Sequence, residues 1–322
     1  MVDIYGTLGP ACASADTLEA MLRQGMTGVR LNLSHVTLPE AAPLVDALRE
    51  AARRCGVQPK LLIDMQGPEL RVKALPAPIE LRGGETAALD FLPGLIRERL
   101  MPGQEILLDD GRLLLRALGS DSAVVLRGGL LRSRKSAALP GMDLRLPPLT
   151  GADRRNLALA RDFGVTGVMQ PFVRCRADLD ALREALDESG GEEIRIFAKI
   201  ESREGAAHLQ ELLPAADEIV IARGDLGNSG PLWELPALQK KIAAVCRAAG
   251  RPFMVVTQML ASMERSPVPT RAELSDIFNA VLDGAASVML TGETAVGAYP
   301  EDAIRYMANT VREACNYVNN IM

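Results

Sequence analysis

Apolar segments rich in β-branched residues recur along the chain, and segments with a helical period separate them. Eight apolar runs have the length of a strand: VDIYGTL (2–8), GVRLNLS (28–34), KLLIDM (60–65), VTGVMQPF (165–172), RIFAKI (195–200), EIVIAR (218–223), PFMVVT (252–257) and SVMLTG (287–292). Several of the intervening amphipathic segments end in glycine, a common C-terminal signal of helices. Among these segments, EGAAHLQELL (204–213) predicts a single helix, and Thr270 with Glu273 has the spacing of a capping box at the start of another. This repeated alternation predicts an α/β protein built on a (β/α)8 TIM barrel, with its chemistry at the carboxyl ends of the strands.

Residues 68–145 break this rhythm, because they contain short strand-like segments and no long helical pattern. Two dipeptides, Asp110-Gly111 and Gly128-Gly129, have the composition of hairpin turns. We therefore predict that residues 68–145 form a small β-barrel lid domain inserted after the third barrel strand. Residues 1–67 and 146–322 would then form the TIM barrel.

The fifth predicted strand ends with two charged side chains on one face. Side chains alternate between faces along a strand, so Lys199 and Glu201 point the same way while their apolar neighbours point the other way. One interpretation is a salt bridge on a half-exposed strand. The other is a metal ligand next to a catalytic cation. The stretch by itself leaves both interpretations open.

Further polar residues and small turns fall at the ends of the other predicted strands. They are Arg30, Asn32, Ser34, Asp64, Arg223, Gly224, Asp225 and Thr257. Each has an ordinary structural explanation, since Asp64 could cap a turn, Asp225 could begin a helix and Thr257 could satisfy backbone groups. Together, however, they would bury many polar groups at one end of one barrel. Such burial is unfavourable unless the groups neutralise one another or hold a ligand.

Composition narrows the classes of partner and metal. The chain has 322 residues, a formal net charge of −5 and 3% aromatic residues, which argues against nucleic acid or an anionic membrane as a partner. Five scattered cysteines and the absence of a signal-peptide pattern predict a cytoplasmic protein with reduced thiols. The only histidines are His35 and His208, so a metal here should be a hard ion held by oxygen ligands.

Motifs covering nearly the whole chain resemble those of the pyruvate kinase family, in the same order. They are TLGPAC, GVRLNLSH, LLIDMQGPELR, ILLDDG, LPGMDLRLPPL, FAKIESREG, IVIARGDLG, VVTQMLASM, PTRAELSDIFNAVLDGA and VMLTGETAVGAYP. The resemblance implies transfer of a phosphoryl group from phosphoenolpyruvate to ADP, giving pyruvate and ATP. It also implies a divalent metal, Mg²⁺ or Mn²⁺, and K⁺ as cofactors.

The resemblance assigns roles residue by residue. The implied catalytic residues are Lys199, Arg30 and Thr257. The implied substrate-binding residues are Arg30, Lys199, Gly224, Asp225 and Thr257. The implied ligands of the divalent metal are Glu201 and Asp225. The implied potassium ligands are Asn32, Ser34, Asp64 and the carbonyl of Met65. The implied nucleotide contacts are Asn32, His35, Arg71 and Lys135.

Departures from the family's pattern limit these expectations. Gln66 stands where the family has a lysine, which removes a positive charge near the nucleotide's phosphates, and Met65 and Ala138 replace a threonine and an asparagine. The family's C-terminal effector domain is absent from the sequence. We therefore expect no regulation through that domain, and a homo-oligomer that is a dimer through the barrel helices. Asp109-Asp110-Gly111 matches a family motif, but we favour a simple hairpin turn as its explanation.

Two other functions stay open at this level. A paralogous lyase-type enzyme acting on a related enol-phosphate or 2-oxo acid would also use a metal and a lysine to stabilise an enolate. The departures at Gln66 and Ala138 are consistent with such an enzyme. A binding or regulatory module with a vestigial site is the third possibility, although both implied metal ligands, Glu201 and Asp225, are retained.

Overall fold

The computed structural model describes residues 2–109, 111–142 and 146–321. The chain divides into two compact units. The first contains the residues up to Gly67, Pro148–Arg223 and the residues from Leu235 onward. The second contains Pro68–Pro147 together with Gly224–Glu234. Asp110 of the first predicted turn lies outside the described residues.

The strands are numbered here in chain order. They are β1 (Asp3–Thr7), β2 (Gly28–Asn32), β3 (Lys60–Asp64), β4 (Ile79–Leu81), β5 (Thr86–Ala88), β6 (Glu105–Leu108), β7 (Leu113–Ala117), β8 (Ser122–Arg127), β9 (Gly129–Leu131), β10 (Ala137–Ala138), β11 (Gly167–Gln170), β12 (Arg195–Ile200), β13 (Glu218–Ala222), β14 (Phe253–Val256) and β15 (Ser287–Met289).

The helices are numbered in the same way. They are α1 (Ala15–Arg23), α2 (Ala42–Cys55), α3 (Gly94–Arg97), α4 (Gly151–Ala160), α5 (Arg176–Asp187), α6 (Arg203–Ala207), α7 (Leu209–Leu212), α8 (Arg223–Asn228), α9 (Leu235–Ala248), α10 (Arg271–Leu282), α11 (Gly292–Ala295) and α12 (Pro300–Ile321). Short 3-10 turns occupy Pro10–Cys12, Leu232–Glu234 and Ala261–Glu264. Of the helices described, none has both the length and the apolar character that crossing a membrane requires.

The eight predicted apolar runs each contain one strand of a closed barrel. The strands are hydrogen-bonded in the order β1-β15-β14-β13-β12-β11-β3-β2, and all neighbouring pairs are parallel. The predicted (β/α)8 fold is therefore confirmed. Because all strands run the same way, their carboxyl ends meet at one rim of the barrel.

Large side chains fill the barrel interior and dictate small residues opposite them. Tyr5, Met169 and Phe197 belong to one buried apolar cluster inside the barrel. A Cβ atom on Gly28 would lie 2.5 Å from the ring of Tyr5, and one on Gly167 would lie 2.6 Å from the ring of Phe197. Glycine at these two strand positions is thus required by packing.

Most predicted helices are present, with one correction. The capping box of Thr270 and Glu273 begins α10, as the sequence predicts. An equivalent box of Thr150 and Asp153, which the sequence analysis did not identify, begins α4. The predicted single helix over 204–213 is wrong, because His208 leaves the helical region and separates α6 from α7.

The described residues of the second unit contain only β-strands as regular structure, apart from α3 and the residues Gly224–Glu234. The sequence predicts a small β-barrel for residues 68–145; the described strand pairs form a five-stranded sheet, β10-β6-β7-β8-β5, and a two-stranded ribbon, β4-β9. The predicted hairpin at Gly128-Gly129 is wrong, because β9 leaves the sheet of β8 and pairs with β4. A Cβ on Gly128 would lie 2.3 Å from the Leu81 carbonyl oxygen, so this crossing needs glycine.

A buried carboxyl group lies at the amino-terminal end of the barrel. Glu218 is 3% exposed, accepts a hydrogen bond from Ser287 Oγ, and lies 3.4 Å from the half-exposed Arg195 guanidinium. Burial raises the pKa of Glu218, and the Ser287 hydrogen bond and the Arg195 charge only partly oppose that effect. Asp3 adds to the increase and Lys60, its ion-pair partner, reduces it.

This raised pKa predicts that Glu218 destabilises the folded protein as the pH rises. Below about pH 4.3, the ordinary glutamate pKa, the group is protonated in both states and has no effect on stability. Above it, the unfolded chain ionises first, so stability falls until the pH passes the raised folded-state pKa. The melting temperature of Glu218→Gln, relative to that of the parent protein, should therefore increase with pH in thermal unfolding scans between pH 4 and 8.

Glu19→Gln is the matched control for this experiment. The hydrogen bond from Arg23 lowers the pKa of exposed Glu19, so its substitution should give a small pH trend of opposite sign. Parallel trends for the two variants would contradict the explanation.

Candidate active site

Asp64 is the centre of the charged groups at the carboxyl rim. Asp64 is the last residue of β3 and is 1% exposed. Its Oδ2 accepts hydrogen bonds from Arg30 Nε at 2.8 Å and from Arg30 Nη2 at 2.6 Å. Lys199 Nζ lies 3.2 Å from Oδ1 and 3.1 Å from Oδ2 of the same carboxylate. Arg30 and Lys199 come from β2 and β12, so the barrel brings three strands together at one carboxylate.

Lys199 bridges two buried carboxylates. Its ammonium lies 2.9 Å from Glu201 Oε1, and the Glu201 side chain is only 3% exposed. Burial lowers the pKa of Lys199, but the charges of Asp64 and Glu201 outweigh it and raise that pKa above its usual value. The ammonium is therefore a permanent cation at physiological pH.

The carboxylate at the centre of the network is a permanent anion. Burial would raise the pKa of Asp64, but the charges of Lys199 and Arg30 outweigh it and hold that pKa below its usual range. The salt-bridge interpretation of the Lys199 and Glu201 pair is correct in part. A salt bridge is present, but it is buried and shared with Asp64 instead of lying on a half-exposed strand.

The residues assigned to potassium lie on adjacent strands. Asn32 and Asp64 are register partners in β2 and β3, and Asn32 Oδ1 accepts the Ser34 amide at 3.1 Å. Met65 is 1% exposed, and no donor in the described part of the chain bonds to its carbonyl oxygen. A buried carbonyl without a donor, next to a carboxylate and an amide oxygen, is a donor set that suits a hard cation.

The residues assigned to the divalent metal are both carboxylates. Glu201 Oε2 accepts the Phe172 amide at 2.8 Å, and Oε1 faces Lys199. Each oxygen therefore keeps a lone pair for a metal. Asp225 lies in α8, which follows β13 directly in the chain, and this residue belongs to the second unit. No group of three His, Cys, Asp or Glu side chains that could hold a metal exists among the described residues. Carboxylate oxygens are ligands that Mg²⁺ accepts.

Thr257 follows β14 in an unusual backbone conformation. Its φ is +81° and that of Gln258 is +56°, a region that β-branched residues adopt only when the surroundings enforce it. The Arg223 guanidinium donates to the Thr257 carbonyl at 3.0 and 2.6 Å and is itself paired with Asp276 at 2.6 Å. The rim arginine seen in the sequence thus fixes the backbone at Thr257.

A second carboxylate reinforces the same loop. Glu293 is 1% exposed and accepts hydrogen bonds from the Thr291 amide at 2.7 Å and from the Leu260 amide at 3.1 Å. The ends of β14 and β15 are therefore joined through one buried side chain. Both carboxylate oxygens of Glu293 thus have hydrogen-bond donors from the protein.

The predicted nucleotide contacts divide between the two units. In the second unit Arg71 donates to Glu69 at 2.9 Å and Lys135 lies 2.7 Å from Asp109 Oδ1. These two cations lie on neighbouring segments, since Arg71 bridges to Ser136. In the first unit the His35 amide bonds to the Asn32 carbonyl at 3.4 Å, which places His35 next to the potassium candidates.

Two residues that organise this rim were not predicted from the sequence. Thr7 Oγ1 donates to the Leu290 carbonyl at 2.8 Å, and the Thr7 amide donates to Thr294 Oγ1 at 2.8 Å, which joins the first strand to the last. Asp153 is fully buried and bonds to the Gln66 and Gly67 amides. The spacing of Thr150 and Asp153 could have identified the second residue as part of a capping box.

The fold and the site define a TIM-barrel protein whose charged groups lie at the carboxyl ends of the barrel strands. A family model described as pyruvate kinase, barrel domain, matches residues 1–304. The chain belongs to the pyruvate kinase family.

Curated relatives support the same assignment. The chain is 38% identical to a pyruvate kinase of Geobacillus stearothermophilus over 94% of its own length and 55% of the relative's. It is 38% identical to one of Corynebacterium glutamicum and 36% identical to one of Aeropyrum pernix, with 69% of each relative covered. The chain therefore spans only a little more than half of the Geobacillus protein.

The buried network predicts a large loss of stability when its central charge is removed. Asp64→Asn would leave Arg30 and Lys199 facing each other without their shared anion, and breaking a buried ion pair typically costs about 3–5 kcal/mol. Urea denaturation should report a decrease of this size in the free energy of unfolding.

Asp46→Asn supplies the control for the same chemical change. The Asp46 and Arg49 side chains are 69% and 52% exposed, so the free energy of unfolding should change by less than about 1 kcal/mol. Equal decreases in the free energy of unfolding of both variants would contradict a stabilising role of the buried Asp64 network.

Proposed function

We propose that this protein transfers a phosphoryl group from phosphoenolpyruvate to ADP, giving pyruvate and ATP, with Mg²⁺ or Mn²⁺ and K⁺ as cofactors. The observation that carries the proposal is the buried network of Arg30, Asp64, Lys199 and Glu201 in a chain of the pyruvate kinase family. Phosphoryl transfer depends on positioning and charge stabilisation more than on covalent chemistry, and rigid strand ends provide both.

Lys199 and Arg30 are the proposed cations for the transferring group. The raised pKa of Lys199 keeps its ammonium protonated, so it can stabilise negative charge on the phosphoryl group and on the developing enolate oxygen. Arg30 contacts phosphate oxygens. Asp64 holds both side chains in place through its hydrogen bonds, so neither cation has to reorganise during the reaction.

Thr257, with Gly224 and Asp225, is the proposed site of the substrate carboxylate. The hydrogen bonds of Arg223 to the Thr257 carbonyl support this role, because they fix the backbone that carries the Thr257 side chain before substrate arrives. Glu201 and Asp225 would hold the divalent metal, which when bound neutralises anionic oxygens of the substrate.

K⁺ would be held by Asn32, Ser34, Asp64 and the carbonyl of Met65. The nucleotide would contact Asn32, His35, Arg71 and Lys135. Gln66 brings no charge to the phosphates, so we expect nucleotide binding to depend on Arg71 and Lys135. The current partners of those two cations, Glu69 and Asp109, are carboxylates that a nucleotide's phosphates could replace as counterions.

The expectations for assembly and location belong to the same proposal. We expect a dimer through the barrel helices. We also expect a cytoplasmic location, which the free thiols of all five cysteines support. The net charge of −5 supports the expectation that neither nucleic acid nor membrane is a partner.

Removing the Lys199 charge should abolish turnover. In Lys199→Met the phosphoryl and enolate charges lose a preorganised cation, so kcat for pyruvate formation should decrease by at least about 10²–10³-fold. The measurement is pyruvate release from phosphoenolpyruvate with ADP, Mg²⁺ and K⁺, coupled to a dehydrogenase. Lys240→Met is the matched control, because Lys240 is half-exposed and, among the described residues, pairs only with Asp283.

The parent protein tests the proposal directly in the same assay. Absence of pyruvate formation under these conditions would exclude the kinase reaction. Proton exchange at the methyl group of pyruvate without kinase turnover would instead favour the lyase-type enzyme, for which the departures at Gln66 and Ala138 are the motivating observation.

A further inference from the structure

Asp153 connects two segments that are distant in the chain. It is fully buried at the start of α4, and its Oδ2 accepts hydrogen bonds from the Thr150 amide and hydroxyl, both at 2.7 Å. These contacts complete an ordinary capping box. In addition, Oδ1 accepts the Gln66 amide at 2.9 Å and Oδ2 accepts the Gly67 amide at 3.1 Å.

The bond to Gln66 fixes the direction of the Met65 carbonyl. The peptide unit that joins Met65 to Gln66 is planar and trans, so its C=O points opposite to its N–H. Holding the Gln66 N–H on Asp153 therefore directs the Met65 oxygen away from α4. The next peptide is fixed as well, because Gly67 adopts a left-handed conformation with φ +59° while its amide is bound.

This orientation matters because residue 65 has only its main-chain oxygen to offer a cation. The Met65 side chain is a thioether, a soft group that hard cations do not select, and the residue is 1% exposed. Its carbonyl oxygen receives no hydrogen bond from any described residue. A buried carbonyl held in this way is unfavourable without a partner.

We propose that Asp153 is a positioning residue for the potassium site, which directs the Met65 carbonyl at the ion through the Gln66 amide. The inference rests on the potassium site of the proposed function and adds to it a residue that does not touch the ion. Groups that orient metal ligands in this way typically change metal affinity by about 10–100-fold when they are replaced.

Capping of α4 alone would explain the Thr150 bonds but not those to Gln66 and Gly67. The second capping box of the chain makes the comparison possible. Glu273 forms the capping box of α10 with Thr270. The Glu273 carboxylate also accepts hydrogen bonds from the Ser262 amide at 2.7 Å and from the Ser262 hydroxyl at 2.6 Å. The two capping carboxylates therefore accept their additional hydrogen bonds from different segments. Of these segments, only the one bound by Asp153 adjoins a proposed potassium ligand.

The experiment measures binding of thallous ion, a spectroscopic substitute for K⁺, by thallium NMR with K⁺ as competitor. Asp153→Asn replaces one acceptor oxygen by a donor that faces backbone N–H groups, so the Kd for thallous ion should rise about tenfold or more. Asp153→Glu keeps the capping box, as Glu273 does in α10, but moves the carboxylate relative to Gln66. It should give a smaller increase in Kd and carries the test if Asp153→Asn does not fold.

Thr150→Ala and Glu273→Gln are the controls. Thr150→Ala removes the capping hydroxyl of α4 but leaves the Gln66 and Gly67 bonds, and Glu273→Gln damages the other capping box. Both should bind thallous ion as the parent protein does. Loss of binding in Thr150→Ala equal to that in Asp153→Asn would reduce Asp153 to a helix cap and overturn the inference.

A second readout separates this inference from the proposed reaction. The melting temperature of the parent protein should be higher in KCl than in LiCl at equal ionic strength, and that difference should shrink in Asp153→Asn. If the parent binds thallous ion but makes no pyruvate, the kinase proposal fails and the positioning role stands on the binding data. Equal affinity of parent and Asp153→Asn, or a parent that does not bind thallous ion, overturns the positioning role.

Discussion

The neutralisation of Asp64 is the constraint on which the rest of the rim depends. A carboxylate that is almost fully buried can remain charged only if cations approach it closely, and two strands supply Arg30 and Lys199 for this purpose. Lys199 in turn neutralises Glu201 on its own strand. The positions of four ionic side chains are therefore mutually determined, and each is held by a strand of the closed sheet. Because the strands hold them, the four charged groups stay close together at the rim and do not form mobile surface ion pairs.

Two loop residues next to the barrel strands are also held rigidly, because hydrogen bonds fix their backbone in unusual conformations. Phe172 and Thr257 have φ values of +52° and +81°, and each is held by a hydrogen bond to a charged side chain from another segment. Such conformations persist only when the surroundings determine them. Here the determining groups are Glu201 and Arg223, which the sequence alone marks as candidates for chemistry. In the structure both side chains also fix the backbone of a neighbouring segment.

The barrel could be predicted because its signals are local and repeated. Each strand is a short β-branched run, and each rim residue follows from alternation along one strand, as for Lys199 and Glu201. The predictions from sequence were wrong or incomplete where residues distant in the chain determine the local structure. A hairpin was expected at Gly128-Gly129 because the dipeptide has the composition of a turn, but the following residues of β9 pair with β4. The break at His208 and the double role of Asp153 also depend on partners 34 and 87 residues away, which no local pattern contains.

The pairing of β1 with β15 has a consequence for how the chain is made. Thr7 bonds to Leu290 and Thr294, which are 283 and 287 residues further along the chain. At the usual rates of translation, β1 must therefore wait about 15–60 s on the ribosome before its second neighbour exists. During that time the growing sheet has two open edges able to pair with other chains. We expect nascent chains of this protein to need protection by ribosome-associated chaperones until the last strand emerges.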